Sequence, residues 1–342
     1  MKLYVMLLIV AMLVPCLGMN GMERKKNKKK AQTEQVATTV KKTTSKYDKL
    51  LKKPDVATSK GEFITVHKTG QKVYFEYPLK NMGREILLGG TVQTASDAWV
   101  VPIGYKMNKP IYLKIELRDS SVYLLQPNSA TFWDGKDAGI GKAIERGYTP
   151  LIYRNPVLAY NNDSTAVVFE STDLFKSNKE LTPARGVIST LKEKKEACSL
   201  GKVKVFDDNI SLEVSQTFDA LLESYLVTFP MGEVATTSTI SLLLLPKEKM
   251  QPRILDSRVG VFPNYHWVGG LFMPKREFSS DCDGIRNLAF SNRWRLEPVD
   301  QAAWERGETV DVKKPIIWYV DDAFPAEWKT PIKEGVLVWN RA

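Results

Sequence analysis

Histidine is scarce in this chain of 342 residues: it has two, His67 and His266. A zinc hydrolase site of the commonest kind needs two histidines one helical turn apart, His-Glu-x-x-His, so that both rings reach the metal and the glutamate acts as base on the bound water. His67 and His266 are nowhere near that spacing. Cysteine is equally sparse, with Cys16, Cys198 and Cys282, and no Cys-x-x-Cys completes a set of four zinc ligands. Cys198 and Cys282 are read as either one disulfide in an oxidising compartment or two inert thiols. The apolar run Leu3–Val14 is too short to span a membrane as a helix, which takes roughly 20 residues. No catalytic, cofactor-binding or metal-ligating residue is therefore expected in this chain.

What is present begins with a targeting signal. Lys2 supplies a positive start, Leu3–Val14 the apolar stretch, and Pro15 breaks it before Cys16-Leu17-Gly18. Cleavage after Gly18 and export from the cytoplasm are expected, to the periplasm, the outer membrane or the medium. An uncleaved interfacial anchor is the alternative. A lipoprotein through Cys16 is a further one, disfavoured by Pro15 where a small residue is usual.

The net charge of +10 resembles that of a nucleic-acid binder until its location is examined. Residues 1–55 hold thirteen Lys or Arg against four Asp or Glu, which leaves the rest of the chain near neutrality. A nucleic-acid surface should be spread over a folded face and interleaved with stacking aromatics. Charge confined to an apolar-poor tail instead predicts a solvated, disordered linker and no nucleic-acid partner. The tail could touch an anionic membrane surface, where each basic residue contributes about 1 kcal/mol.

Beyond the tail the texture is that of strands. Phe63–His67 and Lys72–Tyr77 flank Lys68-Thr69-Gly70-Gln71 and predict a β-hairpin, with Val73, Phe75 and Tyr77 on one face and Lys72, Tyr74 and Glu76 on the other. His67 reads as a hairpin residue rather than a ligand. Further strands are predicted at Glu85–Leu88, Trp99–Ile103, Ile111–Leu117, Ser121–Leu125, Pro150–Arg154, Ala166–Glu170, Val203–Phe206, Ser211–Thr217, Ser224–Pro230 and Thr239–Leu245. Short helices are predicted over Lys136–Glu145 and Ser171–Phe175. The expected fold is mainly β, with packed antiparallel sheets.

Near the C-terminus the pattern changes. Pro315–Val320 reads as a strand, Thr330-Pro331 as the cap and first position of a helix, and Ile332, Val336 and Trp339 as its apolar stripe. Trp294, Trp304, Trp318, Trp328 and Trp339 are expected in the core rather than on a carbohydrate platform. Asp281-Cys282-Asp283-Gly284 has the start of a calcium loop, but Phe290 stands where an EF-hand needs an acid, so a turn is expected.

The ordered segments Met250–Phe262, Arg293–Glu297, Trp318–Asp321 and Ile332–Asn340 resemble the N-terminal half of large secreted zinc-dependent metalloproteases common in Bacteroidetes. Arg146–Pro150, Ala159–Ala166 and the hairpin Gly61–Pro78 fit the same family, whose leading segments are domains of unknown function. The resemblance implies a metzincin-like α/β catalytic domain opening near Pro315, with an extended His-Glu-x-x-His-x-x-Gly-x-x-His motif well beyond the first helix. This sequence ends before that motif, so no zinc ligand or catalytic glutamate is carried over and zinc is a property of the full-length family. Cys282 would be the nearer candidate for capping such a zinc, but it has no metal to cap here.

The expected layout is a signal over 1–18, a basic linker over 19–45, a small hairpin domain over 46–95, a β-rich domain over 96–292 and the start of a truncated catalytic domain over 293–342. Two functions stand open. One is the non-catalytic front of a zinc protease, giving scaffold, latency or substrate docking to a missing catalytic domain, with a protein or peptide substrate. The other is a stand-alone envelope protein that binds a peptide or glycan.

Overall fold

A computed structural model describes residues 45–341 apart from 108–109, 151, 177–180, 184–189, 224–226, 257, 265, 269–270, 280 and 282–283. The expected signal and nearly all of the basic linker lie outside the described residues.

In chain order the first strands are β1 Ala57–Lys60, β2 Thr65–Thr69, β3 Lys72–Pro78, β4 Glu85–Ala95, β5 Ile111–Arg118, β6 Ser121–Leu125, β7 Thr131–Phe132, β8 Ile152–Pro156, β9 Ala159–Tyr160 and β10 Ala166–Glu170. They continue as β11 Thr190–Glu193, β12 Ser199–Val205, β13 Asn209–Glu223 and β14 Thr228–Leu244. Short strands follow: β15 Pro263–Asn264, β16 His266–Val268, β17 Leu271–Met273, β18 Lys275–Glu277, β19 Arg286–Leu288 and β20 Phe290–Ser291. The helices are α1 Lys46–Leu51, α2 Ala138–Arg146, α3 Thr172–Lys176, α4 Gln301–Glu305 and α5 Ala326–Leu337.

The predicted hairpin forms as β2–β3, with Thr69 paired to Lys72 across a two-residue turn. Gly70 enters that turn at φ +54°, a conformation that costs a side chain and suits glycine. Five antiparallel strands assemble in the order β1-β2-β3-β10-β9. A larger antiparallel sheet runs β11-β13-β14-β4-β5-β6-β8, with β12 also on β13.

The two sheets share one core. Val73, Phe75, Tyr77 and Phe169 from the first sheet and Ile86, Leu113, Leu212 and Ile240 from the second are all fully buried in it. Period-two alternation explains this: along β13, Ile210, Leu212, Val214 and Phe218 turn inward while Ser211, Glu213 and Ser215 do not. Phe75 meets Phe169 and Phe175 edge-on at 5.8 and 5.9 Å. The mainly β, antiparallel expectation therefore describes the molecule.

Several local expectations are corrected. Trp99–Ile103 is a turn, because the Asp97 carboxylate accepts from the N–H groups of Trp99 and Val100 at 2.8 and 3.1 Å and bends the chain there. Ser211–Thr217 belongs to a strand of 15 residues, and Thr239–Leu245 overlaps one of 17 that ends at Leu244; their polar outward faces masked their extent. The two faces of β3 fall as expected, and α1, which was not among the expected elements, lies on the one that carries Tyr74 and Glu76, where Leu51, Tyr74, Ala159 and Val168 form a small separate core. Ser45, placed in the linker by sequence, is the N-cap of α1, its Oγ accepting the Asp48 N–H at 3.0 Å.

The strands expected of separate domains over 46–95 and 96–292 interleave. β3 pairs with β10, and β4 lies between β14 and β5, so the expected boundary at 95/96 falls inside one sandwich. Near the C-terminus, Pro315–Val320 is not a strand, since no neighbouring strand satisfies its backbone groups among the described residues. The last helix starts at Ala326 rather than at Pro331, which sits inside it.

Candidate functional site

His67 is 3% exposed and lies on the α1-covered face of the first sheet. Its Nδ1 meets Thr58 Oγ1 at 2.8 Å and its Nε2 meets Glu76 Oε2 at 2.9 Å. Tyr47, carried by α1, donates its hydroxyl to the same carboxylate oxygen at 2.8 Å. Burial raises the Glu76 pKa, but the hydrogen bonds from His67 and Tyr47 outweigh it and hold the carboxyl below its ordinary value. Burial and the Glu76 carboxylate together push the Tyr47 phenol up. The chain Thr58–His67–Glu76–Tyr47 thus ties α1 to three adjacent strands, in keeping with the reading of His67 as a hairpin residue. Sequence reasoning missed α1, although Ser45-x-x-Asp48 is a capping signal that marks it.

The remaining sequence candidates do not converge. His266 lies in β16, paired through its backbone with Met273, and its side chain is outside the described residues. Cys198 is a buried free thiol whose burial raises its pKa to about 11, which makes it a poor nucleophile; Cys282 lies outside the described residues. Among the described residues no three His, Cys, Asp or Glu side chains are grouped to hold a metal. Asp281 is in a turn and Gly284 follows at φ +86°, while the two residues between them are not described.

A cavity of about 870 Å³ opens between α2 and a three-stranded sheet, β19-β18-β7. Its floor is set by register: Arg276 lies opposite Thr131 on one side and Asn287 on the other, so hydroxyl, guanidinium and carboxamide form a row on one face. None of the three side chains has a hydrogen bond or ion pair among the described residues. Alternation sends the neighbours of Arg276 the other way. Glu277 is buried, paired with Arg286 at 3.0 Å and accepting from Ser279 at 3.0 Å. Lys275 donates to the Ser129 carbonyl, and burial lowers its pKa.

The opposite wall is α2. Asp137 caps it through the N–H groups of Gly139 and Ile140, and Ile140 and Ile144, one turn apart, face the cavity with Phe278 and Pro274. A Cβ at Gly141 would lie 2.6 Å from the Trp133 ring, so glycine lets the helix approach that closely. Tyr148 adds its ring, its hydroxyl being spent on the Gln126 carbonyl at 2.8 Å. Nothing in the sequence marks this cavity, because Thr131 and α2 are far in the chain from Arg276 and Asn287.

The C-terminal segment carries a different surface. The five tryptophans expected in the core are exposed, from 57% at Trp328 to 78% at Trp339. Ile317, Trp318, Tyr319 and Val338 are likewise exposed, and α5 contains no buried residue. Ile332 and Val336 are half-buried, which leaves the expected apolar stripe without a covering element among the described residues.

No helix among the described residues is long and apolar enough to cross a membrane. Comparison with curated proteins and comparison with solved structures return no match. Residues 44–95 match a family described as a domain of unknown function, DUF5118. Residues 107–299, more than half of the chain, match another, and the chain belongs to that family, the domain of unknown function DUF5117.

Proposed function

We propose that this chain is the non-catalytic front of an exported zinc-dependent metalloprotease, a β-sandwich that presents its C-terminal segment to a catalytic domain. The observation that supports the reading is the exposure of Trp318, Tyr319, Trp328, Val338 and Trp339 in a segment that packs little of itself away. Large exposed apolar patches mark surfaces that meet a partner. Burying each such side chain fully would contribute roughly 1.5 to 3 kcal/mol, enough to dock a domain. The resemblance of Trp318–Asp321 and Ile332–Asn340 to the opening of a metzincin-like domain names that partner. The core shared by the two sheets contains no residue of this segment.

The test is deletion of residues 315–342. The shortened protein is expected to be more soluble, to bind less of a hydrophobic dye and to keep a cooperative unfolding transition. In parallel, the gene beyond the codon for Ala342 is expected to encode His-Glu-x-x-His. Loss of cooperative unfolding on deletion, or a frame without that motif, would overturn the reading.

A further inference from the structure

The cavity beneath α2 has a chemistry that selects its occupant, and the selection stands whether or not a catalytic domain docks on the C-terminal segment. We propose that it binds the C-terminal end of an apolar peptide, with the free carboxylate on Arg276 and the last side chain against Ile140, Ile144 and Phe278.

Size comes first. A volume of about 870 Å³ falls within the range of small-ligand sites, which run from about 300 to 1,000 Å³. Charge comes next. Arg276 is the one cation on the cavity floor among the described residues, and it has no counter-ion there. The acid beside it in the chain, Glu277, points to the other face and is already paired with Arg286. A guanidinium offers a planar fork of donors that matches a carboxylate two-to-two. Arg276 and Asn287 are exposed at the open side of the cavity, so water solvates the fork in the free protein and an anionic ligand head is the one that replaces that water with charge-assisted bonds.

The groups around Arg276 separate a peptide from a fatty acid. Asn287 presents an unbonded carboxamide, donor and acceptor together, in register with Arg276. Asn128 accepts the Ala130 N–H at 2.9 Å through its Oδ1, which leaves its NH₂ free to donate. Thr131 adds a hydroxyl on the other side of Arg276. A peptide backbone supplies the C=O and N–H groups that such side chains need. A hydrocarbon tail would strip them of water and return nothing, at a cost for each polar group left unmade. The apolar wall of Ile140, Ile144 and Phe278 then faces the terminal side chain, as a specificity pocket.

The experiment is fluorescence anisotropy of the full chain with labelled Gly-Ala-Leu-Phe, as the free acid and as the C-terminal amide, with unlabelled laurate as competitor. The free acid is expected to bind and the amide to bind at least about tenfold more weakly, the loss of one charge-assisted pair. Arg276→Gln is expected to weaken the acid by a similar factor and to leave the amide unchanged. Because the acid and amide arms use the unaltered protein, a folding defect in the variant cannot mimic the result. Equal binding of acid and amide, absence of binding by the acid at millimolar concentration, or displacement by laurate at lower concentration than by unlabelled peptide would each overturn the proposal.

Discussion

Glu76 shows how a carboxylate becomes structural once its neighbours are in place. It receives the Tyr47 hydroxyl and contacts His67 on the same oxygen, and its pKa stays below the ordinary value despite burial. The unfolded chain therefore takes up this proton at a higher pH than the folded one. The stability it contributes is fully present above the ordinary carboxylate range and is lost as pH falls through the lowered folded value. Glu76→Gln is expected to cost about 1 to 3 kcal/mol at neutral pH, the penalty for breaking a buried hydrogen-bond network. It should also flatten the fall of melting temperature below about pH 4.5, read by calorimetry across a pH series. An unchanged acid limb would assign the sensitivity to other carboxylates. His67 was legible as a hairpin residue from its strand; its partners were not, because Tyr47 reaches it from a helix twenty residues upstream.

At the scale of the element, α1 is six residues long, too short to persist without a cap and a surface to lie on. Ser45 provides the first, accepting the Asp48 N–H at 3.0 Å, and it also donates to Asn162 at 3.2 Å. Leu51 and Tyr47 provide the second against Tyr74 and Val168. Ser45→Ala is expected to lower stability by about 1 kcal/mol, read from chemical unfolding, with amide exchange quickening first in residues 46–51. The contrast with α5 is instructive. The apolar stripe Ile332, Val336 and Trp339 was legible from its spacing, yet α5, which carries the first two, contains no buried residue, and Trp339 lies in the 3-10 turn Val338–Arg341 that follows. Periodicity marks the face a helix would bury and is silent on what covers it. Pro315–Val320 fails as a strand for the same reason: β-rich composition needs a paired neighbour, and none is present among the described residues.

For the whole molecule, the two matched segments, 44–95 and 107–299, do not correspond to two independent sandwiches. β4, from the first, is flanked by β14 and β5 from the second, and β3 is extended by β10. Removing either segment would expose long strand edges and half of a shared core. Residues 44–96 expressed alone are therefore expected to be unfolded by circular dichroism, and 97–299 alone to lack a cooperative transition, whereas 44–299 unfolds in one step. Independent, reversible unfolding of either piece would refute this.

Sequence by itself determined the hairpin Phe63–Tyr77, the inward face of its second strand and the mainly β character of the chain, but not the extent of β13 and β14 or the turn at Trp99–Ile103. Alternation in Val73, Phe75 and Tyr77 is a local property, set by the period of two that any extended chain imposes. It also located the basic tail and the absence of a histidine pair for zinc. Tertiary structure alone decided which strands pair, that α1 covers the back of β3, and that Thr131, Arg276 and Asn287 stand side by side beneath α2. Those outcomes depend on contacts between residues far apart in the chain, whose closure is chosen by the free energy of the assembled sheets rather than by the preference of any one segment.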